Sequence, residues 1–309
     1  MGLVSYLYKK NFVGRYDKEA GFPYCDLSYF KGLNKESYTF TNSKGIEIAY
    51  FFYYYPNYNP DKIILFCHGL GPGHTAYLAE INCLAERGYK VLTLDYAGCD
   101  KSKGKGMGSI NGPTRDVMDL LDYLKLKEEV IVMGHSLGGF TSLNIIHLRN
   151  EIDKAIIMSG FLTIPLSIPT MIKSKFIQRG ILRYERKVEP KYFALDNIEY
   201  LKTTKDHIYF IQSEDDQVVP YSISLGVVEK IANPCIKTLK VTNRKHNPNY
   251  TDEAVQYMNE VFGDYYQKLR NKEIKTDEDK INYFKDISLS KLTAQDQKMF
   301  DSIKQFIEQ

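Results

Sequence analysis

Apolar and polar positions along this chain follow two different periods. Residues 62–67 form a short, continuous apolar run, which is typical of a strand buried on both faces of a sheet. Residues 75–87 and 137–148 instead repeat their apolar positions at helical spacing. Strands and helices that alternate in this way predict βαβ units and a mainly parallel sheet covered by helices on both faces.

The pattern predicts eight strands, of which the first two form a hairpin around the turn at residues 43–45. The strands are predicted at residues 37–42, 46–55, 62–67, 89–94, 130–133, 154–158, 207–212 and 236–242. Helices are predicted at residues 75–87, 114–126, 137–148, 221–232 and 251–269. The alternation stops at residue 161 and resumes at 206, so residues 37–160 and 206–270 form the sheet domain and 161–205 an insertion.

Two segments lie outside this pattern. Residues 1–36 form an N-terminal arm rich in Tyr and Phe, and residues 271–309 are predicted as a charged linker followed by an amphipathic helix. Thr293 is the predicted N-cap, with Asp296 three residues later. One face of the helix is apolar and comprises Met299, Phe300, Ile303, Phe306 and Ile307. We expect this helix to dock on the domain or on a second copy, as in a homodimer.

Composition and charge exclude several classes of protein. Of 309 residues, 43% are hydrophobic and 26% charged, and the formal net charge is only +3, so no basic footprint for nucleic acid exists. Five cysteines without metal-ligand spacing indicate reduced thiols and no metal site. No signal peptide or membrane span is predicted. We expect a soluble, cytoplasmic protein; peripheral membrane contact through Tyr6, Tyr8 and Phe12 is a weaker alternative.

The segment Gly134-His135-Ser136-Leu137-Gly138 fits the pattern G-x-S-x-G between a predicted strand and a predicted helix. In that context the serine stands on a sharp turn, and the flanking glycines are needed because side chains would clash there. The strand end projects the hydroxyl into the crevice at the carboxyl edge of the sheet. Ser136 is therefore the predicted nucleophile.

A serine nucleophile requires a base that is oriented by a carboxylate. When this motif occurs in a parallel sheet, the chain order is serine, acid, histidine. Beyond the turn after strand 207–212, His246 is the only histidine in the sequence, so it is the predicted base. The acidic turn itself contains Asp215 and Asp216 side by side, and spacing alone does not choose between them.

Donors for an oxyanion are expected from two backbone amides. One belongs to the loop His68–His74 after strand 62–67, and the other to the residue after the nucleophile. These are the amides of Leu70 and Leu137. A phosphate-binding role for the glycine-rich loop is disfavoured because neither G-K-[ST] nor G-x-G-x-x-G is present. We therefore expect no cofactor.

Four sequence blocks, taken in order, resemble the α/β-hydrolase family, in particular its monoacylglycerol-lipase-like and serine-aminopeptidase-like branch. They are HGLG from His68, DYAGCDKS from Asp95, GHSLGG from Gly134 and EDDQVVP from Glu214, and His246 follows them. The resemblance covers residues 38–269. It implies the α/β-hydrolase fold with a small helical lid in residues 161–205. The family's acid turn, G-x-x-D-x-[VIL]-V-P, aligns its aspartate with Asp216.

The expected function is a serine hydrolase that cleaves carboxylic esters of small or lipid-like substrates through Ser136, His246 and Asp216. The alternative is a serine aminopeptidase, which would need an acid near the substrate amine, and Glu185 and Glu189 are candidates for it. A non-catalytic binding protein on the same scaffold is a third interpretation, because fold alone does not fix function.

Overall fold

The computed structural model describes residues 3–309 and contains one eight-stranded sheet. Its strands are β1 (Asn34–Thr41), β2 (Glu47–Tyr54), β3 (Lys62–Cys67), β4 (Lys90–Leu94), β5 (Glu129–His135), β6 (Lys154–Met158), β7 (His207–Ser213) and β8 (Ile236–Val241). Their order is β1-β2-β4-β3-β5-β6-β7-β8. Strands β1 and β2 are antiparallel to each other and β2 is antiparallel to β4, whereas all other pairs are parallel. The predicted mainly parallel sheet is confirmed.

Thirteen helices occur within the described residues. They are α1 (Leu3–Asn11), α2 (Leu78–Glu86), α3 (Gly112–Leu124), α4 (Leu137–Leu148), α5 (Ile164–Met171), α6 (Lys175–Val188), α7 (Pro190–Phe193), α8 (Asn197–Thr203), α9 (Leu225–Val228), α10 (Asp252–Arg270), α11 (Asp277–Phe284), α12 (Leu289–Leu292) and α13 (Gln297–Ile307). Short 3₁₀ turns occur at Leu27–Tyr29, His74–Tyr77 and Tyr221–Ile223.

The two faces of the sheet support separate hydrophobic cores. Alternate residues of each central strand point to opposite faces, so Ile63 and Leu65 belong to one core and Ile64 and Phe66 to the other. The first core packs against α1, α3, α4 and the helices between β6 and β7. The second packs against α2 and α13. Both faces of the central strands are therefore buried from solvent, which explains their continuous apolar sequence.

Helices α5 to α8 occupy the segment between β6 and β7 where strand signals stop. Thr163 caps α5 by accepting from the N–H of Leu166, and Asp196 caps α8. A buried ion-pair cluster joins this segment to α3: Arg115 contacts Glu189 and, at 2.9 Å, its neighbour Asp116. The helical segment is thus attached to the sheet domain by charges as well as by apolar packing.

Three local predictions at the C-terminal side were wrong. The segment after Arg270 is not a simple linker, because it contains α11 and α12. The N-cap of the last helix is Asp296, which accepts from the N–H of Met299, whereas Thr293 ends α12. The helix predicted at residues 221–232 is reduced to a 3₁₀ turn and the short α9.

The last helix, α13, docks on this chain's own sheet. Its five predicted apolar residues are all buried in the second core. The ammonium groups of Lys62 and Lys154 donate to the carbonyl oxygen of Ile307, where cations offset the negative end of the helix dipole. The predicted apolar face is confirmed, and its partner is the domain.

The N-terminal arm packs on the domain at two places. Helix α1 crosses α6 where Gly180 leaves room for Val4, since a Cβ at Gly180 would approach a methyl of Val4 to 2.8 Å. Tyr8, one of the residues considered for membrane contact, is instead buried. Farther along, Phe22 stacks on Phe262 of α10 with ring centroids 5.2 Å apart.

In the described part of the chain, every helix is too short or too polar to cross a membrane.

We expect Arg115→Met to lower the free energy of unfolding by about 3–5 kcal/mol, because it leaves the buried carboxylates of Asp116 and Glu189 without their cation. Urea denaturation at neutral pH measures this loss. The matched control is Lys202→Met, since its exposed pair with Glu199 contributes less than about 1 kcal/mol. Equal losses in the two variants would contradict the role assigned to the buried cluster.

Candidate active site

The predicted site residues follow four strands whose carboxyl ends lie at one edge of the sheet. Leu70 follows β3, Ser136 follows β5, Asp216 follows β7 and His246 follows β8. Because β3, β5, β6, β7 and β8 are mutually parallel, all four loops emerge on the same side. This edge is where open α/β sheets bind their ligands.

Ser136 occupies a strained turn between β5 and α4. Its backbone angles are φ 57° and ψ −118°, a combination that a residue with a side chain adopts only when its surroundings enforce it. A Cβ at Gly138 would collide with the carbonyl oxygen of Cys67, and one at Gly134 with the carbonyl of Gly138. The glycines of the motif therefore allow β5, α4 and the end of β3 to pack in contact.

His246 is paired with Asp216 and not with Asp215. Its Nδ1 lies 2.9 Å and 3.1 Å from the two carboxylate oxygens of Asp216, whose side chain is fully buried. Asp215 is exposed and accepts from the Ser213 hydroxyl and the Lys245 N–H. Since a carboxylate can only accept, Nδ1 carries the hydrogen and Nε2 is the free acceptor of this imidazole.

The Asp216 carboxylate is held in its charged form. Burial by itself raises the pKa of Asp216, but the hydrogen bond and charge of His246, together with hydrogen bonds from Val219 and Gln212, lower this pKa below its ordinary value. The N–H groups of Val218 and Val219 also donate to it, at 2.9 Å and 3.0 Å. The carboxylate therefore stays ionised and orients the ring.

A cavity of about 120 Å³ opens beside Ser136, and its wall is almost entirely apolar. The wall combines three parts of the chain: the arm, the loops at the sheet edge and the inserted helices. Residues from these parts include Phe12, Leu70, Leu137, Met171, Val218 and Val219. Both predicted oxyanion residues thus line the same space as the serine.

The amide of Leu137 is the first of helix α4, so it has no acceptor within the helix. Ser136 Oγ makes no hydrogen bond to any residue between 3 and 309, and the contact to His246 is therefore not formed in this structure. Over the same residues, no cluster of three or more His, Cys, Asp or Glu side chains is arranged to hold a metal ion.

Comparison with known families matches residues 58–207 to the family described as "Serine aminopeptidase, S33". That segment contains the Leu70 loop and Ser136 but ends before Asp216 and His246. A solved esterase of Pyrococcus furiosus has a TM-score of 0.58 and 16% sequence identity, covering 85% of this chain and 97% of its own. At this level of identity, the likeness to the solved esterase shows a shared fold.

The chain has the α/β-hydrolase fold.

Curated relatives match only part of this chain. An epoxide hydrolase of Caballeronia sordidicola is 31% identical over 96 residues, which is 30% of this chain and 29% of the relative. A rice protein (Oryza sativa subsp. indica) named "Probable esterase PIR7A" is 22% identical over 148 residues, or 47% of this chain and 53% of the relative. The matches thus span from under a third to about half of these relatives.

Two side chains that the sequence analysis did not select connect the loops of the candidate site. His135 Nε2 lies 2.7 Å from the carbonyl oxygen of His246, and His135 Nδ1 lies 3.0 Å from the hydroxyl of Tyr77. A carbonyl only accepts, so Nε2–H donates to His246 and Nδ1 accepts from Tyr77. Burial lowers the pKa of His135 to about 3, and the ring stays neutral.

The two candidate acids of an aminopeptidase site are both engaged elsewhere. Glu185 is fully buried and accepts from the Tyr8 hydroxyl at 2.7 Å and from the Ile110 N–H at 3.1 Å. Glu189 is buried against Arg115. Within the described residues no carboxylate lines the cavity beside Ser136. Glu185 and Glu189 thus fix the inserted helices to the domain.

We expect Tyr77→Phe to slow turnover of a short nitrophenyl ester about tenfold, because the loss of one buried hydrogen bond, about 1.4 kcal/mol, loosens His135 and the His246 loop. The rate constant kcat, measured with KM, tests this. Tyr123→Phe is the matched control, since Tyr123 is exposed. An unchanged kcat in Tyr77→Phe would contradict the positioning role.

Burial raises the pKa of Glu185 to about 7. Because this folded-state pKa lies above the ordinary value of 4.5, the protonated carboxyl favours the folded state below pH 4.5, and that stability is lost as pH rises through 7. We expect Glu185→Gln to make the free energy of unfolding fall less steeply between pH 4.5 and 7. Urea titrations at several pH values measure this slope. Glu199→Gln, at an exposed residue, is the control. Equal slopes in the two variants would contradict the prediction.

Proposed function

We propose that this α/β-hydrolase is a serine hydrolase that cleaves carboxylic esters with small apolar acyl groups. The observation that carries the proposal is the pairing of His246 with the buried carboxylate of Asp216. Through His135, this pair is joined to the turn that presents Ser136 to an apolar cavity. An oriented imidazole with a free Nε2 is the base that a serine nucleophile needs.

The reaction begins when Ser136 Oγ attacks the ester carbonyl and His246 Nε2 takes its proton. The ionised Asp216 keeps the ring in the right tautomer and stabilises the imidazolium that forms. The amides of Leu70 and Leu137 donate to the developing oxyanion. His246 then gives its proton to the leaving alcohol, and a water molecule activated by the same residue hydrolyses the acyl-enzyme. Catalytic hydrogen bonds often shorten only when substrate is bound, which accounts for the open Ser136–His246 contact.

Cavity size and polarity support a substrate with a small apolar acyl group. A volume of about 120 Å³ is slightly less than the 150 Å³ of an apolar cavity that holds benzene. It therefore accepts an acyl or aryl group of about four to six carbons. The wall has almost no polar surface, so charged acyl groups are disfavoured.

The alternative is a peptidase that releases N-terminal residues, as the name of the matched family indicates. Such an enzyme holds the substrate's ammonium group, for which the apolar wall offers no acidic partner among the described residues. Epoxide hydrolase chemistry, named for one relative, uses an aspartate at the nucleophile turn of this fold, where this chain has Ser136.

We expect Ser136→Ala to abolish hydrolysis of nitrophenyl butyrate and labelling by a fluorophosphonate probe, because no other hydroxyl replaces the activated serine. Initial rates and gel fluorescence measure the two effects. Ser290→Ala, at an exposed serine outside the site, is the control and keeps both. Activity retained by Ser136→Ala would refute the assignment of the nucleophile.

The same assay separates the alternatives when the wild-type chain is given an aminoacyl-anilide and esters of increasing acyl length. We expect butyrate and hexanoate esters to exceed dodecanoate esters, and the anilide to be hydrolysed least. Preference for the anilide would replace the esterase by the peptidase. Absence of both turnover and probe labelling would favour a non-catalytic binding protein.

A further inference from the structure

Helix α6 has an unusually basic exposed side. Arg179, Arg183 and Lys187 follow one another at four-residue spacing, so they lie along the same side of the helix. All three are exposed, as are the remaining cations of this segment, namely Lys173, Lys175 and Arg186. Within the part of the chain that the structure describes, none of these six groups has an acidic partner. Glu185, the one acid in residues 171–188, is buried on the opposite side.

Large apolar side chains are exposed at the start of the same helix and at the end of α5. Phe176 is 77% exposed, Met171 47% and Ile177 38%. Phe176 stands three residues before Arg179 and thus continues the row of cations. Exposed aromatic and aliphatic groups that adjoin a charged row mark an interaction surface and not an ordinary solvated face.

Helix α1 extends this surface. Its Val4 packs against Gly180 of α6, and its Lys9 lies over the Tyr184 ring at 5.3 Å. Within one turn of these contacts, Tyr6 is 58% and Leu7 46% exposed. We call the exposed residues 6–7, 171, 173–177, 179, 183 and 186–187 the α1–α6 face. Met171 also lines the cavity beside Ser136, so the face reaches the mouth of the candidate active site.

We propose that the α1–α6 face binds the surface of an anionic lipid bilayer. Its cations meet the lipid phosphates and acidic headgroups, while Phe176, Met171 and Tyr6 enter the boundary between headgroups and acyl chains. A nucleic acid would satisfy the cations but would leave these apolar groups in water. The mouth of the cavity at Met171 faces the lipid in this arrangement.

Vesicle sedimentation tests the proposal independently of catalysis, using the full chain with Ser136→Ala as background. We expect binding to vesicles of phosphatidylcholine with phosphatidylglycerol, little binding to phosphatidylcholine alone, and release by high salt. Replacing Arg179, Arg183 and Lys187 together by Glu weakens binding at least tenfold. The matched control replaces exposed Lys44, Lys230 and Lys275 by Glu, which changes the net charge equally and preserves binding.

Phe176 separates lipid from other polyanions. We expect Phe176→Ser to weaken vesicle binding and Phe176→Leu to preserve it, since only the first removes the apolar group that enters the bilayer. Three results would overturn the proposal. The first is an equal loss of vesicle binding in the two triple variants, and the second is no binding of the wild type to anionic vesicles at low salt. The third is binding to a single-stranded oligonucleotide that is as tight as to vesicles and insensitive to Phe176→Ser.

Discussion

The strained backbone at Ser136 is the constraint on which the rest of the site depends. Its positive φ is maintained because Gly138 packs directly against the carbonyl of Cys67, where no side chain fits. Strand β5, helix α4 and the end of β3 are thereby joined in one rigid unit. That packing involves only backbone atoms and glycines. It sets the direction of the serine hydroxyl and the positions of the Leu137 amide and the Leu70 loop.

The loop that carries His246 is held by polar contacts at two points, one in the turn after β7 and one in this unit. Asp216 holds the imidazole of His246, and His135 holds its backbone carbonyl. Because His135 is buried and neutral, it adds no charge that would oppose an imidazolium on His246. The position of the candidate base therefore depends on His135, which directly precedes Ser136, and this contact links the two loops.

Two parts of the chain outside the sheet contribute to the wall of the cavity beside Ser136. The N-terminal arm contributes Phe12 and the inserted helices contribute Met171 to the cavity wall. Buried groups, Glu185 with Tyr8 and Glu189 with Arg115, keep these parts in place. Segments outside the sheet thus give this α/β-hydrolase fold its particular cavity and its basic outer face.

The sequence alone determined the strand–helix alternation, the serine turn and the eligible histidine, because each has a local pattern or follows from chain order. The tertiary structure decided the contacts that no local sequence pattern specifies. Asp215 and Asp216 are equivalent in spacing, and only packing buries the second against His246. Tyr77 and His135 are 58 residues apart in the sequence, and His135 and His246 are 111 apart. No local sequence pattern therefore predicts these contacts. The predicted N-cap of the last helix was wrong because Thr293 and Asp296 are both residues that cap helices well. Thr293 instead ends α12, an element that the sequence did not predict.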